Sequence, residues 1–188
     1  MMSSEDRKKI TSLARSSIAS ALESKSFLPE PEAREKLSCK RGCFVTLKKK
    51  GLLRGCIGFP YPIMPLWEAV SKAAAAAAFE DSRFPPLSRE ELKEASLEVS
   101  VLSQPSEIIK EDRNNIPEKI VVGVHGLIVK KGVYSGLLLP QVAEEFNFSP
   151  KQFLEETCLK AGLPRSAWLD KDTRVYCFEA EVFSDNDN

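Results

Sequence analysis

The chain has 188 residues, of which 27 are basic and 27 acidic, so its formal net charge is zero. A chain of this length buries roughly 70% of its unfolded surface on folding, so it needs neither disulfides nor a metal to hold a core. A zero net charge excludes a whole-molecule field that would attract nucleic acid or an anionic membrane. The five cysteines form no CxxC pair and there is one histidine. These counts predict reduced thiols and no metal site.

The N-terminal residues contain no apolar core of the kind that signal peptides have. The longest run of small apolar residues, 73–79, is far too short to span a bilayer. We therefore expect a soluble, cytoplasmic protein without strong affinity for membranes or nucleic acid.

The first forty residues predict a helix and then a loop. Apolar residues recur at helical spacing over 5–24, so this segment is expected to pack one apolar face against a sheet. Residues 27–38 contain Pro29 and Pro31 among charged residues, which predicts a surface loop.

A hairpin is predicted next. Residues 43–48 have strand character, and the charged turn at 49–51 leads into a second strand over 52–57. Alternation with period two would put Arg54 and Cys56 on the same face of that strand. The permanent charge of the guanidinium would then favour a thiolate at Cys56 where solvent is limited.

Gly55 and Gly58 lie on either side of Cys56. Because they have no side chains, a ligand or another backbone can approach closely, and at least one of them is expected to have a positive φ or to press against neighbouring backbone. The alternative is an inert core cysteine at a strand end, and it stays open because free cysteine is among the most buried residue types.

The segment after the hairpin predicts a helix and a stiff loop. Residues 66–79 are rich in alanine, which favours a helix. The loop 79–87 contains two phenylalanines and two prolines, and it presents Asp81 and Arg83. These two side chains either face a ligand or pin the loop by binding each other.

A second helix and a third strand are predicted from local patterns. Ser88 and Glu91 match a capping box that opens a short helix ending at about Glu94. Residues 97–103 alternate between apolar and polar, which predicts a half-buried strand with Glu98 on its polar face.

Residues 127–138 predict a second hairpin that turns at 131–132, with His125 just before it. His125 is either a hydrogen-bonded structural residue or a catalytic base. Pro140 opens a short helix that carries Gln141 in its first turn, where free backbone N–H groups could serve an anion. Gln141 could equally be a surface residue.

The last part of the chain predicts one helix and one strand. The helix has Ser149 as N-cap and ends before Gly162. The strand covers 174–183, and residues 185–188 are expected to be frayed. The residues expected on one face of this strand are Tyr176, Phe178, Ala180 and Val182.

The order of these elements predicts an α+β fold, because antiparallel hairpins are interleaved with helices and no strand-helix-strand rhythm is present. Walker, Rossmann, HExxH and GxSxG patterns are absent from the sequence. The cofactor, if there is one, is therefore unknown from sequence.

The hexapeptide LRGCIG at 53–58 closely resembles the hallmark of the AMMECR-type domain family. Further phrases are similar to the same family and follow in order along nearly the whole chain. They are FEDSRFPPL at 79–87, EVSVLSQP at 98–105, GVHGLIV at 123–129, GLLLPQVA at 136–143 and CLKAGLP at 158–164.

The resemblance implies one AMMECR-type domain over 5–184 with a tail at 185–188. It also implies two intertwined lobes, each built on an antiparallel sheet flanked by helices, with the hexapeptide beside a cleft. In microbes similar domains occur with Memo-like and radical-SAM-like proteins, which implies such proteins as partners. The animal members are discussed as regulators of gene expression. A fold alone does not assign a function.

Two functional hypotheses follow. In the first, the protein is an enzyme or a small-molecule-binding protein with Cys56 as nucleophile or thiolate ligand and His125 as base. The expected substrate-binding residues are Arg54, Gly55, Gly58, Asp81, Arg83, Glu98 and Gln141. In the second, the same residues stiffen a surface that binds a protein partner, and the chain is a non-enzymatic regulatory or interaction module.

Overall fold

The computed structural model of the chain describes residues 2–109 and 111–186. The helices are α1 Ser4–Leu22, α2 Pro31–Lys36, α3 Leu66–Phe79, α4 Arg89–Glu94, α5 Pro140–Glu145 and α6 Pro150–Lys160. The strands are β1 Cys43–Lys49, β2 Leu52–Phe59, β3 Ala95–Leu102, β4 Ser106–Glu107, β5 His125–Lys131, β6 Tyr134–Leu138 and β7 Arg174–Ser184. Two 3-10 helices cover Arg113–Lys119 and Arg165–Leu169. Every helix in the described ranges is too short or too polar to cross a membrane.

The chain folds into two compact units. Unit 1 contains the described residues up to Leu102 together with those from Glu181 onward, and unit 2 contains Ser103–Ala180. Strand β7 therefore begins in unit 2 and ends in unit 1. Each unit combines helices with antiparallel strands, so the predicted α+β class is confirmed.

Unit 1 is built on an antiparallel sheet with the strand order β2, β1, β3. Alternate residues of β1 and β3 point to one face, where Val45, Leu47 and Val99 are fully buried. Helices α1 and α3 pack on this face and complete the core. The small side chains of α3 allow this helix to lie close to the strands, because alanine adds little width to a helix surface.

Unit 2 is built on an antiparallel sheet with the strand order β6, β5, β7, β4. Helix α6 packs against β5 and β6, and α5 packs against β5. The core contains Leu127, Val129, Phe153, Leu154 and Trp168.

Three helices with clear local signals, alanine composition in α3 and capping boxes in α4 and α6, lie where the sequence predicts them. Helix α3 has the predicted bounds. Helix α4 begins directly after Ser88, the N-cap residue of the predicted capping box. Helix α6 begins after a second capping box, in which Ser149 and Gln152 each bind the other's backbone N–H. The predicted loop over 27–38 is wrong in part, because Pro31 occupies the first position of the short helix α2, where a missing N–H costs nothing.

Both faces of β7 contain buried residues. Val175 and Phe183 are buried, whereas Val182, on the face predicted to carry Tyr176 and Phe178, is 38% exposed. Val175 belongs to the core of unit 2, and Phe183 belongs to the core of unit 1. Phe178 is buried on the other face, where its ring lies against Gly126 on β5. The strand therefore has apolar residues on both faces, which simple alternation does not describe.

The C-terminal tail is anchored at Asp185, so the prediction of fraying from 185 onward is wrong for this residue. Its N–H donates to the carbonyl of Leu97 at 3.0 Å, and its Oδ1 accepts the N–H of Leu97 at 3.0 Å. The guanidinium of Arg15 on α1 binds the other carboxylate oxygen. Residues 187–188 lie outside the described residues.

Candidate functional site

The hairpin that carries the hexapeptide contains a bulge at Arg54. Lys48 on β1 is opposite Leu53 on β2, but Leu47 is opposite Gly55, so Arg54 is an additional residue in β2. A bulge shifts the pairing of all residues beyond it by one position. Cys56 is therefore opposite Thr46, whereas without the bulge it would be opposite Val45.

Arg54 points towards α4, so the predicted common face of Arg54 and Cys56 is wrong. Its guanidinium donates to both carboxylate oxygens of Glu91, at 3.1 and 2.9 Å, and to the carbonyl of Pro85 at 2.9 Å. The side chain is buried and lies over the ring of Phe84. Arg54 thus ties β2 to α4, and its charge is balanced by Glu91 instead of acting on the thiol.

Glu91 has a strongly lowered pKa. The hydrogen bond from Arg54 is the main cause, followed by the backbone N–H of Ser88, and together they lower the pKa to about 2. Glu91 is therefore a carboxylate that holds two elements together. Lys49 also reaches it, at 3.3 Å.

Cys56, Thr46 and Glu98 form a row across three neighbouring strands, which we call the Cys56 row. Thr46 is opposite Cys56 on one side and opposite Glu98 on the other, and directly opposed residues share a face of a sheet. The hydroxyl of Thr46 donates to the sulfur of Cys56 at 3.2 Å. Glu98 binds Lys48 at 2.9 Å. The row brings a thiol, a hydroxyl and a carboxylate together on one face of unit 1.

Asp81 and Arg83 bind the backbone of Cys56 along the outer edge of β2. Asp81 accepts the N–H of Cys56 at 2.9 Å, and Arg83 donates to the carbonyl of Cys56 at 3.4 Å. Because β2 is the end strand of this sheet, these two side chains occupy the hydrogen-bonding groups that another strand would use.

The Asp81–Arg83 pair fixes an exposed guanidinium beside the Cys56 row. Arg83 donates to both carboxylate oxygens of Asp81, at 2.9 and 2.6 Å, and lies over the ring of Phe84. Asp81 is buried, whereas 55% of the Arg83 side chain is exposed. Hydrogen bonds from Arg83 hold the pKa of Asp81 well below its usual range, and Asp81 in turn raises the pKa of Arg83. Because its Nε and Nη2 already bind Asp81 and Cys56, the Nη1 of Arg83 is the group left to bind a carboxylate or phosphate.

The two glycines of the hexapeptide lie against other parts of unit 1. A Cβ on Gly55 would lie 2.1 Å from the carbonyl oxygen of Ala77 on α3, and one on Gly58 would lie 2.4 Å from the carbonyl oxygen of Cys43. The expected close approach of backbone is confirmed at both positions. The substrate-binding role predicted for Gly55 is not supported, because α3 occupies the space beside it.

His125 and Gln141 belong to unit 2. His125 is the first residue of β5, and its Nδ1 accepts the N–H of Val121 at 3.1 Å. The side-chain oxygen of Gln141 is buried and has no hydrogen-bond partner among residues 2–109 and 111–186. The assignment of His125 as a base for Cys56 stays a prediction.

The five cysteines differ in exposure. Cys39 is exposed, Cys56 and Cys177 are half-buried, and Cys43 and Cys158 are buried. Burial raises the pKa of Cys43 to about 12 and that of Cys158 to about 11. Across the described ranges, His, Cys, Asp and Glu side chains form no group of three that could hold a metal ion.

Sequence reasoning missed Thr46 as a neighbour of Cys56 and Glu91 as the partner of Arg54. The hairpin pattern predicts the two strands, but without the bulge Thr46 would be opposite Gly55. Glu91 was predicted as a capping residue, and nothing in its local sequence indicates a bond to a distant arginine.

Known proteins are similar to this chain over most of its length. The family model AMMECR1 matches residues 11–183. Protein NEQ441 of Nanoarchaeum equitans is 48% identical over 178 residues, which are 94% of this chain and 99% of that protein. A protein of Aquifex aeolicus is 44% identical over 184 residues, covering 97% of this chain and 94% of its own length.

A solved structure is also similar. The crystal structure of the uncharacterised protein PH0010 from Pyrococcus horikoshii has a TM-score of 0.90 and 47% sequence identity to this chain. The match covers 97% of this chain and 93% of that one. With the hexapeptide in the β1–β2 hairpin and this agreement in sequence and fold, the chain belongs to the AMMECR1 family.

Proposed function

We propose that this AMMECR1-family protein binds a small anionic molecule at the Cys56 row, with Arg83 as the group that holds the anion. The observation that supports the proposal is the double use of Asp81. One buried carboxylate fixes the exposed guanidinium of Arg83 and also holds the backbone of Cys56. An anion on Arg83 is therefore placed in a defined position relative to Cys56.

The Cys56 row gives the bound molecule chemically different neighbours. The sulfur of Cys56 is half-buried, accepts a hydrogen bond from Thr46 and lies in line with the carboxylate of Glu98. In an enzyme, Cys56 would be the nucleophile, and His125 stays the candidate base. In a binding protein, Cys56 would only contact the ligand. Both the enzyme and the binding protein need Arg83 to hold the anion.

The first experiment tests ligand binding. Native mass spectrometry of the protein incubated with a metabolite extract is expected to detect a retained anionic molecule. Arg83→Gln is expected to abolish retention, because the amide keeps polarity but has no charge for the anion. Arg89→Gln is the matched control, since Arg89 is an equally exposed arginine of unit 1 that pairs with Glu23. Equal retention by both variants, or none by the wild type, would contradict the proposal.

The second experiment separates enzyme from binding protein. Cys56→Ser is expected to keep ligand retention in both versions, but to abolish turnover of the retained molecule only if Cys56 is the nucleophile. His125→Gln tests the predicted base in the same assay. A variant that turns over the molecule without Cys56 would exclude the nucleophilic role.

Thiol labelling gives an independent measure of Cys56. In a Cys39→Ser background, which removes the exposed thiol, native Cys56 is expected to react with iodoacetamide before the buried Cys43 and Cys158. At a fixed pH, Arg54→Gln is expected to leave the rate of Cys56 labelling unchanged, because Arg54 binds Glu91. Slower labelling of Cys56 in Arg54→Gln would show that Arg54 activates this thiol.

A protein-interaction module is the second candidate function. It is favoured by two exposed residues at the start of β2, Leu53 in the hexapeptide and Leu52 directly before it. Memo-like and radical-SAM-like proteins are the partners that the family resemblance proposes. Loss of partner binding in Leu52→Ser, together with full binding in Arg83→Gln, would support this function over ligand binding.

A further inference from the structure

Unit 2 contains a surface groove of about 430 Å³ between α5, α6 and the end of β6. Apolar side chains form most of its wall, and two charged residues of α6 complete it. The apolar residues are Leu138, Val142, Phe146, Phe148 and Leu159, and the charged residues are Glu156 and Lys160. None of them belongs to the Cys56 row or contacts Arg83, so the groove is independent of the function proposed above.

The aromatic wall of the groove is unusually open to solvent. The rings of Phe146 and Phe148 are stacked with centroids 5.5 Å apart and an angle of 16° between their planes. Phe146 is 61% exposed, and Leu159 on the facing helix is exposed as well. Contiguous exposed apolar side chains are typical of a surface that binds another molecule. The stacked rings present a preformed apolar face.

The charges at the groove leave one cation available. Glu156 pairs with Arg165, so its negative charge is balanced within unit 2. Lys160, in the last turn of α6, has no ion-pair partner within the described part of the chain. An occupant with a negative group would therefore meet Lys160 without displacing an existing ion pair.

We infer that this groove binds a small amphipathic carboxylate, with its aromatic or aliphatic body against Phe146 and Phe148 and its carboxylate at Lys160. The volume is in the range of pockets that bind small molecules. An aromatic body would gain stacking against the phenylalanine rings in addition to burial of apolar area. Charge complementarity selects an anion over a neutral or cationic molecule of the same shape.

Fluorine NMR with two matched probes tests this inference. The carboxylate probe is 4-fluorophenylacetate, and its neutral counterpart is 4-fluorophenylacetamide. The carboxylate is expected to bind the full-length protein more tightly than the amide. Phe146→Ala is expected to weaken carboxylate binding by about ten-fold through loss of the aromatic wall. Lys160→Gln is expected to weaken it by about three-fold and to abolish the preference over the amide.

Two further variants serve as controls. Val133→Ala removes an apolar side chain that is 94% exposed outside the groove, and Lys151→Gln removes an exposed charge from the other end of α6. Both are expected to bind the carboxylate as the wild type does. Thermal melts of all four variants show whether each is folded, since Lys160 also favours the C-terminus of α6 electrostatically. Absence of binding at about 10 mM probe, equal affinity for the two probes, or equal binding by a folded Lys160→Gln variant would overturn the inference.

Discussion

At one position of β2, Asp81 accepts the backbone hydrogen bond that a neighbouring strand would otherwise accept. Edge strands expose N–H and C=O groups that other chains can bind, and proteins protect them with charged side chains or covering loops. Here a carboxylate accepts the N–H of Cys56 and a guanidinium donates to its carbonyl. Protection of the edge and positioning of Arg83 therefore depend on the same residue.

Removing the charge of Asp81 is expected to weaken both interactions. In Asp81→Asn the side chain keeps its shape but loses charge-assisted bonds, so the free energy of unfolding should fall by about 2 kcal/mol in urea denaturation. Asp172→Asn is the control, because Asp172 makes an exposed ion pair with Lys131, and such pairs add little to stability. Equal effects of the two substitutions would show that the Asp81 contacts add nothing to stability.

Gly55 is expected to tolerate no side chain. An added Cβ would meet a backbone carbonyl of α3 at 2.1 Å, and backbone cannot move aside as a side-chain tip can. Gly55→Ala should therefore destabilise the protein by about 1 to 3 kcal/mol in thermal or urea denaturation. Gly132→Ala, at a turn with a φ of 57° and open space around it, should cost about 1 kcal/mol through backbone strain alone. A smaller loss at Gly55 than at Gly132 would contradict the packing argument.

At the scale of elements, local signals predict helices better than they predict the candidate site. Helices α3, α4 and α6 follow their caps and composition, which are local properties. The neighbours of Cys56 depend on strand register, and the bulge at Arg54 shifts this register. Arg54 is held there by Glu91, which lies 37 positions later in the chain. No pattern within the hairpin contains that information, so Thr46 could not be identified from sequence.

The bond between Arg54 and Glu91 is expected to make stability depend on acidity. Folding lowers the pKa of Glu91 from 4.5 to about 2, so the unfolded state takes up a proton first as the pH falls. The stabilising contribution is complete above about pH 4.5 and is lost as the pH decreases towards 2. Urea midpoints measured across this range should change less with pH in Glu91→Gln than in the wild type.

Glu94→Gln provides the comparison for this titration. Glu94 lies on the same helix but is exposed, and within residues 2–109 and 111–186 its one ion pair is with the Lys49 ammonium, at 3.5 Å. Its substitution should leave the pH dependence of the urea midpoint close to that of the wild type. If the urea midpoints of the wild type, Glu91→Gln and Glu94→Gln change equally with pH, the ionisation of Glu91 does not contribute to acid sensitivity.

At the scale of the whole molecule, unit 1 is formed by two separated segments of the chain. The sequence predicts the α+β class and the order of elements. The hydrophobic pattern of β7 does not indicate that this strand passes from unit 2 to unit 1. Phe183 belongs to the core of unit 1 although 78 residues of unit 2, Ser103–Ala180, precede its segment. One strand therefore supplies apolar residues to two cores, which alternation along the strand does not predict.

Deleting residues from Glu181 onward is expected to unfold unit 1. The deletion removes Phe183 from its core, the ion pair between Arg7 and Glu181, and the bonds of Asp185 to Leu97. Circular dichroism should detect a lower melting temperature or no cooperative transition. A chain ending at Asn186 keeps all these contacts and should melt as the full chain does. An unchanged melt after the longer deletion would show that the C-terminal segment is dispensable.

The divided composition of unit 1 has a consequence for folding during translation. All residues of unit 2 are added to the chain before Glu181, so the first segment of unit 1 waits through the synthesis of Ser103–Ala180 before its final segment exists. The neighbours of β3 in the finished sheet are β1 and β7, so until β7 is complete β3 has an unsatisfied edge, which is a template for wrong pairing between nascent chains. Unit 1, which carries Cys56, is thus completed at a late stage of synthesis. Its exposure to chaperones should therefore last longer than that of unit 2.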